Sequence, residues 1–341
     1  MKHIGHNHNL SCSVDFDKLG KQIGSFDIPL SVHDDAWGVV RVPITLISNG
    51  NGPTVILEGG NHGDEYEGPI VLGEMIRDLN VEDVNGRLII IPVINTPAVG
   101  AACRVSPIDG VNMNRSFPGD FQGTTTQQIS AFVNHVLFPL ADVFLDLHSG
   151  GSSLDIIPSS VIEPVKDPDL NRRTVNAGMA FGASAMVIID NRGEARTAMA
   201  SAAGAGLIAI GTELGGGGTV SIDALNLCRT GVRNVLTHLG VLAQDKALKR
   251  PTDPKRYKLL QGAHVISDLQ GVFEPLHPLG TKVQSGQLAG RIHFITDPRC
   301  PPRDIFYNVD GIVYGRRQPG HVKPGNCCVV VATQTQGDSN D

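Results

Sequence analysis

The chain has 341 residues, 41% of them apolar, enough for one large domain or two unequal ones around a proper core. Acidic residues outnumber basic ones, and the net charge of −6 argues against a nucleic-acid or anionic membrane-surface partner. No stretch reaches the ~18 apolar residues that span a bilayer, residues 1–11 hold no apolar segment of signal-peptide length, and the six cysteines show no Cys-x-x-Cys spacing; a cytoplasmic protein with ordinary thiols is expected.

The early chain reads as strands. Trp37 to Ile47 is rich in β-branched residues and runs into the turn Asn49-Gly50-Asn51-Gly52, and Thr54 to Leu57 is a short apolar strand. Glu67 to Leu79 reads as a helix with Pro69 in its first turn and Val71, Leu72, Met75, Ile76 and Leu79 on one face. Leu88 to Ile94 is a continuous apolar run of the kind buried on both faces of a sheet. A helix over 129–140, a strand over 143–147, a helix over 168–181, a strand over 186–189, an Ala-rich helix over 195–205, a strand over 207–212 and a long helix over 223–242 follow. This alternation predicts an α/β domain over residues 1–250, with a mixed, mostly parallel sheet flanked by helices. Residues 251–256 read as a linker. Residues 257–335 carry short β-like runs punctuated by Gly and Pro and predict a small all-β domain, and the polar tail after Thr333 reads as disordered.

Ligands of such sheets sit beyond the carboxyl ends of strands, and His62, Asn95, His148 and Glu213 all lie at or just past predicted strand ends. An isolated His-x-x-Glu carries little weight. Here His62 and Glu65 sit in Gly59-Gly60-Asn61-His62-Gly63-Asp64-Glu65, directly after a strand, and His148 closes another apolar run. Two histidines and a carboxylate are a ligand set for catalytic zinc, which brings the pKa of water towards ~7. Asp146, two residues before His148 on the same strand face, is placed to orient that histidine through its second ring nitrogen. Asn114 and Arg115 suit a free α-carboxylate, since the guanidinium fork matches it in bidentate fashion. Arg104 offers a cation for an oxyanion. Glu213, in Thr212-Glu213-Leu214 before four glycines, suits proton transfer between water and a leaving amine, with the glycines allowing close approach of substrate. No dinucleotide fingerprint, P-loop or Gly-x-Ser-x-Gly elbow is present. His3, His6 and His8 read as a frayed terminus, Cys327-Cys328 as strand packing, and Asp64 and Glu67 as solvent-facing flanks of the motif.

Together, residues 59–65, Asn112-Met113-Asn114-Arg115-Ser116-Phe117-Pro118-Gly119, Asp146-Leu147-His148-Ser149-Gly150 and Thr212-Glu213-Leu214-Gly215-Gly216 resemble the succinylglutamate desuccinylase/aspartoacylase family, a branch of the zinc carboxypeptidase-like fold, over roughly residues 30–335. The resemblance implies one Zn2+ per chain on His62, Glu65 and His148, with Glu213 as general base and acid. It implies that Asn114 and Arg115 hold the substrate carboxylate, that Arg104 polarises the scissile carbonyl, and that Arg196 contacts substrate. The aspartoacylase branch also uses a tyrosine from its C-terminal domain; Tyr257, Tyr307 and Tyr314 remain open for that role. Within the family, the length and the details of residues 58–69 and 112–119 resemble the deacetylases of ectoine breakdown, which remove acetate from Nα-acetyl-L-2,4-diaminobutyrate. The implied partner is a small N-acyl amino acid, with a homo-oligomer left open. A basic substrate side chain would want an acidic partner, for which Glu194 and Asp190 are candidates. Deacylases of the succinylglutamate or acetylaspartate type, a metallocarboxypeptidase, and a carrier built on the C-terminal module are the competing readings.

Overall fold

The computed structural model describes residues 2–3, 10–190, 194–243 and 254–335. His6 and His8, most of the tail after Thr333 and residues 251–253 of the expected linker lie outside these.

The catalytic half is one twisted sheet built from β1 (Gly20–Val32), β2 (Asp35–Asn49), β3 (Thr54–Gly59), β4 (Gly86–Ile91), β5 (Val143–His148), β6 (Ser159–Ile162), β7 (Ala185–Ile188) and β8 (Ile208–Glu213). Their spatial order is β1-β2-β4-β3-β5-β8-β6-β7. The central run β4-β3-β5-β8 is parallel, whereas β1 and β2 form an antiparallel edge and β6 runs against β8. The sheet is therefore mixed, as expected. Strand β1 was not predicted: its outward positions are polar or exposed, so only its pairing with β2 along nearly its whole length reveals it.

The helices α1 (Glu67–Asp78), α2 (Thr125–Phe132), α3 (Pro168–Ala180), α4 (Ala198–Gly204) and α5 (Ile222–His238) cover the two faces. Alternation along the strands sets which face each side chain serves. Val55 and Leu57 of β3 and Leu145 of β5 pack with Val71, Leu72 and Met75 of α1 and Val232 and Val235 of α5. Ile56 and Phe144 point the other way, onto Ile129 and Phe132 of α2 and Ala198 and Ala202 of α4. Each such fully buried side chain contributes roughly 1.5–3 kcal/mol. Side-chain caps start the helices where the sheet needs them: Asp167 accepts from the Asp169 and Leu170 amides, and the Ser221 hydroxyl accepts from Ala224 N–H. The single helix expected over 129–140 is instead α2 followed by a wider turn over Val133–Leu137 and a tight one over Phe138–Leu140. Pro139, which has no N–H to donate, sits in that last turn.

Beyond β7 the hydrogen bonding does not stop. Lys255–Lys258 adds in parallel to β7 and pairs on its far edge with Cys327–Gln334, which carries Gly311–Arg317 in turn. A four-stranded antiparallel sheet (Gly271–Pro275, Leu288–His293, Arg303–Phe306, His321–Val322) lies against this extension around Val265, Phe273, Ile292, Tyr307 and Val331. Leu154–Ile156, from the catalytic half, also pairs with Gly311–Arg317. The C-terminal β region is thus joined to the rest of the chain by two separate strand pairings.

One close approach ties helix to site. A Cβ added at Gly68, in the first turn of α1, would lie 2.7 Å from Leu147 Cβ and 3.0 Å from Leu147 O. Gly68→Ala must push α1 off the strand that ends in His148. We expect a loss of about 1–3 kcal/mol in chemical denaturation, the range for overpacking a filled core; unchanged stability would show that α1 can slide freely.

Candidate active site

Four residues arrive at one edge because three neighbouring strands end there. His148 is the last residue of β5 and pairs directly with Glu213, the last residue of β8. His62 and Glu65 lie on the turn after β3, the other neighbour of β5. That turn is held by Asn95, whose Nδ2 donates to Asn61 O, and by Gly63, whose N–H donates to Cys103 O; a Cβ on Gly63 would collide with Ala98 O at 1.9 Å. Asn95 therefore shapes the site from behind and does not line it.

The Glu65 carboxylate sits between two imidazoles. His62 Nδ1 is 2.7 Å from Oε1, and His148 Nδ1 is 2.8 Å from Oε2, which also accepts from the Ser149 amide at 3.1 Å. The two rings stand 5.0 Å apart, and all three residues are buried. Both outer ring nitrogens are held: His148 Nε2 is 2.9 Å from Asp146 Oδ2, and His62 Nε2 is 3.2 Å from Asn112 Oδ1. Burial alone raises the Glu65 carboxyl, but the two imidazoles outweigh it and hold the group well below the usual carboxylate range. Burial likewise lowers the His148 pKa, and Asp146 and Glu65 overcome it to raise it well above its ordinary value.

The donor set fits a divalent cation. One ligand atom from each of His62, Glu65 and His148 lies within 4.8 Å of the other two, the same nitrogen of both rings faces one carboxylate, and Asp146 and Asn112 fix the far nitrogens as outer partners of ligand histidines do. Unpartnered buried carboxyl oxygens point the same way. Glu58 Oε2, Asp146 Oδ1 and Glu213 Oε2 are buried with no hydrogen-bond partner.

A cavity of about 160 Å³ holds His62, Glu65 and His148 together with Arg104, Asn114, Arg115 and Glu213. Arg104 Nη1 is 3.6 Å from Glu65 Oε1 and 3.4 Å from His62 Nδ1. Asn114 Oδ1 accepts from Ala198 N–H, which leaves its Nδ2 towards the site, 3.4 Å from His148 Nε2. Arg115 is braced by its Nη1 on Asn114 O at 2.6 Å and lies 3.8 Å from Glu194 Oε2. Arg196 does not line the cavity; its guanidinium chelates Glu194, with Nε at 2.8 Å and Nη2 at 2.7 Å, and the two arginines hold that carboxyl down at about 2. Asp64 and Glu67, expected to face solvent, are buried and knit loops: Asp64 Oδ2 accepts from the Ser152 amide and hydroxyl, and Glu67 Oε1 from the Ser221 amide. Backbone conformation and packing already call for glycine in the run 215–218. All four have positive φ, and a Cβ on Gly216 would meet Leu154 O at 2.0 Å.

A wider cleft of about 770 Å³ shares Arg115, Ile189 and Glu213 with this cavity. Tyr314 lines it, its hydroxyl 2.7 Å from Ser159 Oγ, and Ser159 pairs with Glu213 across β6 and β8. Tyr257 shares an apolar cluster with Tyr314 but does not line the cleft, and Tyr307 pairs with His277 Nδ1 at 3.1 Å, so of the three Tyr314 is the one that lines the cleft. Asn112 and Ser159 gave no functional signal of their own in the sequence. Asn112 stood inside a recognised motif, whereas Ser159 and Tyr314 come together only through long-range strand pairing.

Residues 51–239 match the model of the succinylglutamate desuccinylase/aspartoacylase catalytic domain. Over 325 residues, 95% of this chain and 94% of the relative, the sequence is 39% identical to the N-alpha-acetyl-L-2,4-diaminobutyric acid deacetylase of Halomonas elongata. The fold is similar to that of a succinylglutamate desuccinylase/aspartoacylase from Rhodobacter sphaeroides (TM-score 0.90, 38% identity, 96% of this chain and 99% of that one). It is equally similar to a product-bound ectoine utilization protein from Ruegeria pomeroyi (TM-score 0.91, 37% identity, 96% and 100% covered). No helix among the described residues is long and apolar enough to cross a membrane.

Glu213 carries a measurable signature of its burial. Desolvation first, and then the charge of Glu65, raise its carboxyl to about 8 from an ordinary 4.5. Below pH 4.5 it is protonated folded or unfolded; between 4.5 and 8 only the folded protein keeps the proton, so stability falls as pH rises through that window. With metal removed by chelator, Glu213→Gln is expected to be more stable than wild type by a margin that grows by about 1.4 kcal/mol per pH unit across it. A margin independent of pH in thermal denaturation would contradict this.

Proposed function

Because the chain belongs to the succinylglutamate desuccinylase/aspartoacylase family of hydrolases, we propose that it is a zinc-dependent deacetylase that hydrolyses Nα-acetyl-L-2,4-diaminobutyrate to acetate and L-2,4-diaminobutyrate. The observation that carries the reading is the His62–Glu65–His148 cluster sharing one buried cavity with Glu213, in a chain so similar end to end to a deacetylase of that compound. Membership of a hydrolase family makes the chain an enzyme and removes the carrier reading of its C-terminal region.

His62, Glu65 and His148 would hold a zinc ion, which would supply a Lewis acid and bring the pKa of water towards neutrality. The protein supplies the rest. Glu213 presents an unpartnered Oε2 to the cavity, and a carboxyl that titrates near neutrality can take a proton from water and return it to the departing amine. Arg104, over the Glu65–His62 pair, meets the negative charge that develops on the carbonyl oxygen during attack. Arg115 and the Asn114 amide hold the α-carboxylate, their geometry set by the backbone of Asn114 and of Ala198. Tyr314 walls the cleft from the C-terminal side, which favours a small acylated amino acid over a peptide chain.

A panel of N-acetyl amino acids, N-succinylglutamate and short peptides, assayed with and without chelator, tests the assignment. We expect turnover of the diaminobutyrate derivative to lead, to vanish with chelator and to return with zinc; preferred cleavage of peptides would assign a carboxypeptidase. His62→Ala should lose the metal. Glu213→Ala should retain it yet drop kcat by about 10²–10⁴-fold, the range for a general acid–base group, and wild-type turnover by that variant would remove Glu213 from the mechanism.

A further inference from the structure

The proposed substrate carries an ammonium group on a short side chain, and the chain offers several carboxylates near the cleft that could meet it. Glu194 is already engaged, clasped in bidentate fashion by Arg196 with Arg115 beside it. Glu163 lines the small cavity but already accepts from the Thr197 hydroxyl at 3.4 Å. Asp190 differs from both. It follows the end of β7 as an exposed residue that makes no hydrogen bond or ion pair among the described residues. It lines the wider cleft, whose acidic lining residues are Asp190 and Glu213 alone.

Building on the deacetylase reading, we infer that Asp190 is the specificity residue that receives the substrate's side-chain ammonium. Two constraints orient the substrate this way. The leaving amine must lie within reach of Glu213, which returns its proton, so the amino-acid half of the substrate occupies the space next to Glu213. The α-carboxylate is fixed there by Arg115, which lines both the small cavity and the wider cleft. The remaining substituent on the α-carbon then projects into the wider cleft, whose lining includes the aliphatic Leu154, Ile156, Leu259 and Val330 and, as an exposed acid with no partner among the described residues, Asp190. The aliphatic wall accepts the two methylenes, and the carboxylate accepts the charge. A substrate with an acidic side chain would meet Asp190 as a like charge, which would set this chain apart from deacylases of acetylaspartate or succinylglutamate type.

The test compares Nα-acetyl-2,4-diaminobutyrate with Nα-acetylnorvaline, its near-isosteric neutral counterpart, and with Nα-acetylglutamate. In wild type kcat/KM should favour the cationic substrate. In Asp190→Asn the ratio of cationic to neutral kcat/KM should fall about two- to fivefold, the effect residing in KM, as expected for one exposed charge pair. Asp190→Glu should keep most of the preference, and Asp190→Lys should move it towards the glutamate derivative. An unchanged ratio in the Asn and Lys variants, or a wild-type enzyme indifferent to side-chain charge, overturns the inference and leaves the deacetylase reading standing. A wild-type protein that hydrolyses no N-acetyl amino acid overturns the deacetylase reading itself, and the inference with it.

Discussion

The carboxylate of Glu65, buried between the same ring nitrogens of His62 and His148, is the contact on which the rest of the site depends. An ionised carboxylate out of water is tolerated only when paired or coordinated, and this one is held from three directions, by two imidazoles and the Ser149 amide. Those partners come from two adjacent parallel strands, so the contact exists only while β3 and β5 keep their register. Gly68 enforces this by letting α1 lie directly against Leu147, one residue before His148. Asp146 and Asn112 then fix the far side of each ring, so neither imidazole can turn its inner nitrogen away.

Around this clasp the protein buries more carboxyl groups than the described side chains partner, and two of them are driven towards their protonated form. Glu58 faces Asp146 across β3 and β5, and burial together with that neighbour pushes its carboxyl well up. Glu213 is displaced the same way. Such an arrangement stores free energy that a dication releases, which links folding, metal affinity and proton chemistry in one place. A fully partnered site would be more stable; perturbed electrostatics at functional sites are a general trade of stability for activity.

The C-terminal β region acts on the site through hydrogen-bonded strands. The ladder from β7 through Lys255–Lys258 to Cys327–Gln334 and Gly311–Arg317 brings Tyr314 to Ser159, and Ser159 stands beside Glu213. The antiparallel strand β6 makes this geometry possible. It reverses the sheet next to β8, so its amino end, rather than its carboxyl end, meets the catalytic edge. The cleft beyond Glu213 is consequently lined by residues from both halves of the chain, far apart in sequence.

The sequence by itself determined the elements that local chemistry dictates. The doubly buried strands β3, β4 and β5 announce themselves as unbroken apolar runs, α1 as an apolar stripe, and His62, Glu65, His148 and Glu213 as polar residues at strand ends, where open α/β sheets bind ligands. Periodicity could not show β1, whose stability comes from pairing with β2, nor the break in the helix after Phe132. It also left Asp64 and Glu67 on the surface, because their burial depends on amides of Ser152 and Ser221, far along the chain. Only the tertiary structure decided that Tyr314 rather than Tyr257 or Tyr307 lines the cleft, that Arg196 and Glu194 neutralise each other, and that Asp190 has no partner among the described residues. Such choices rest on strand order and register between distant segments, and no local pattern of residues encodes which strand lies beside which.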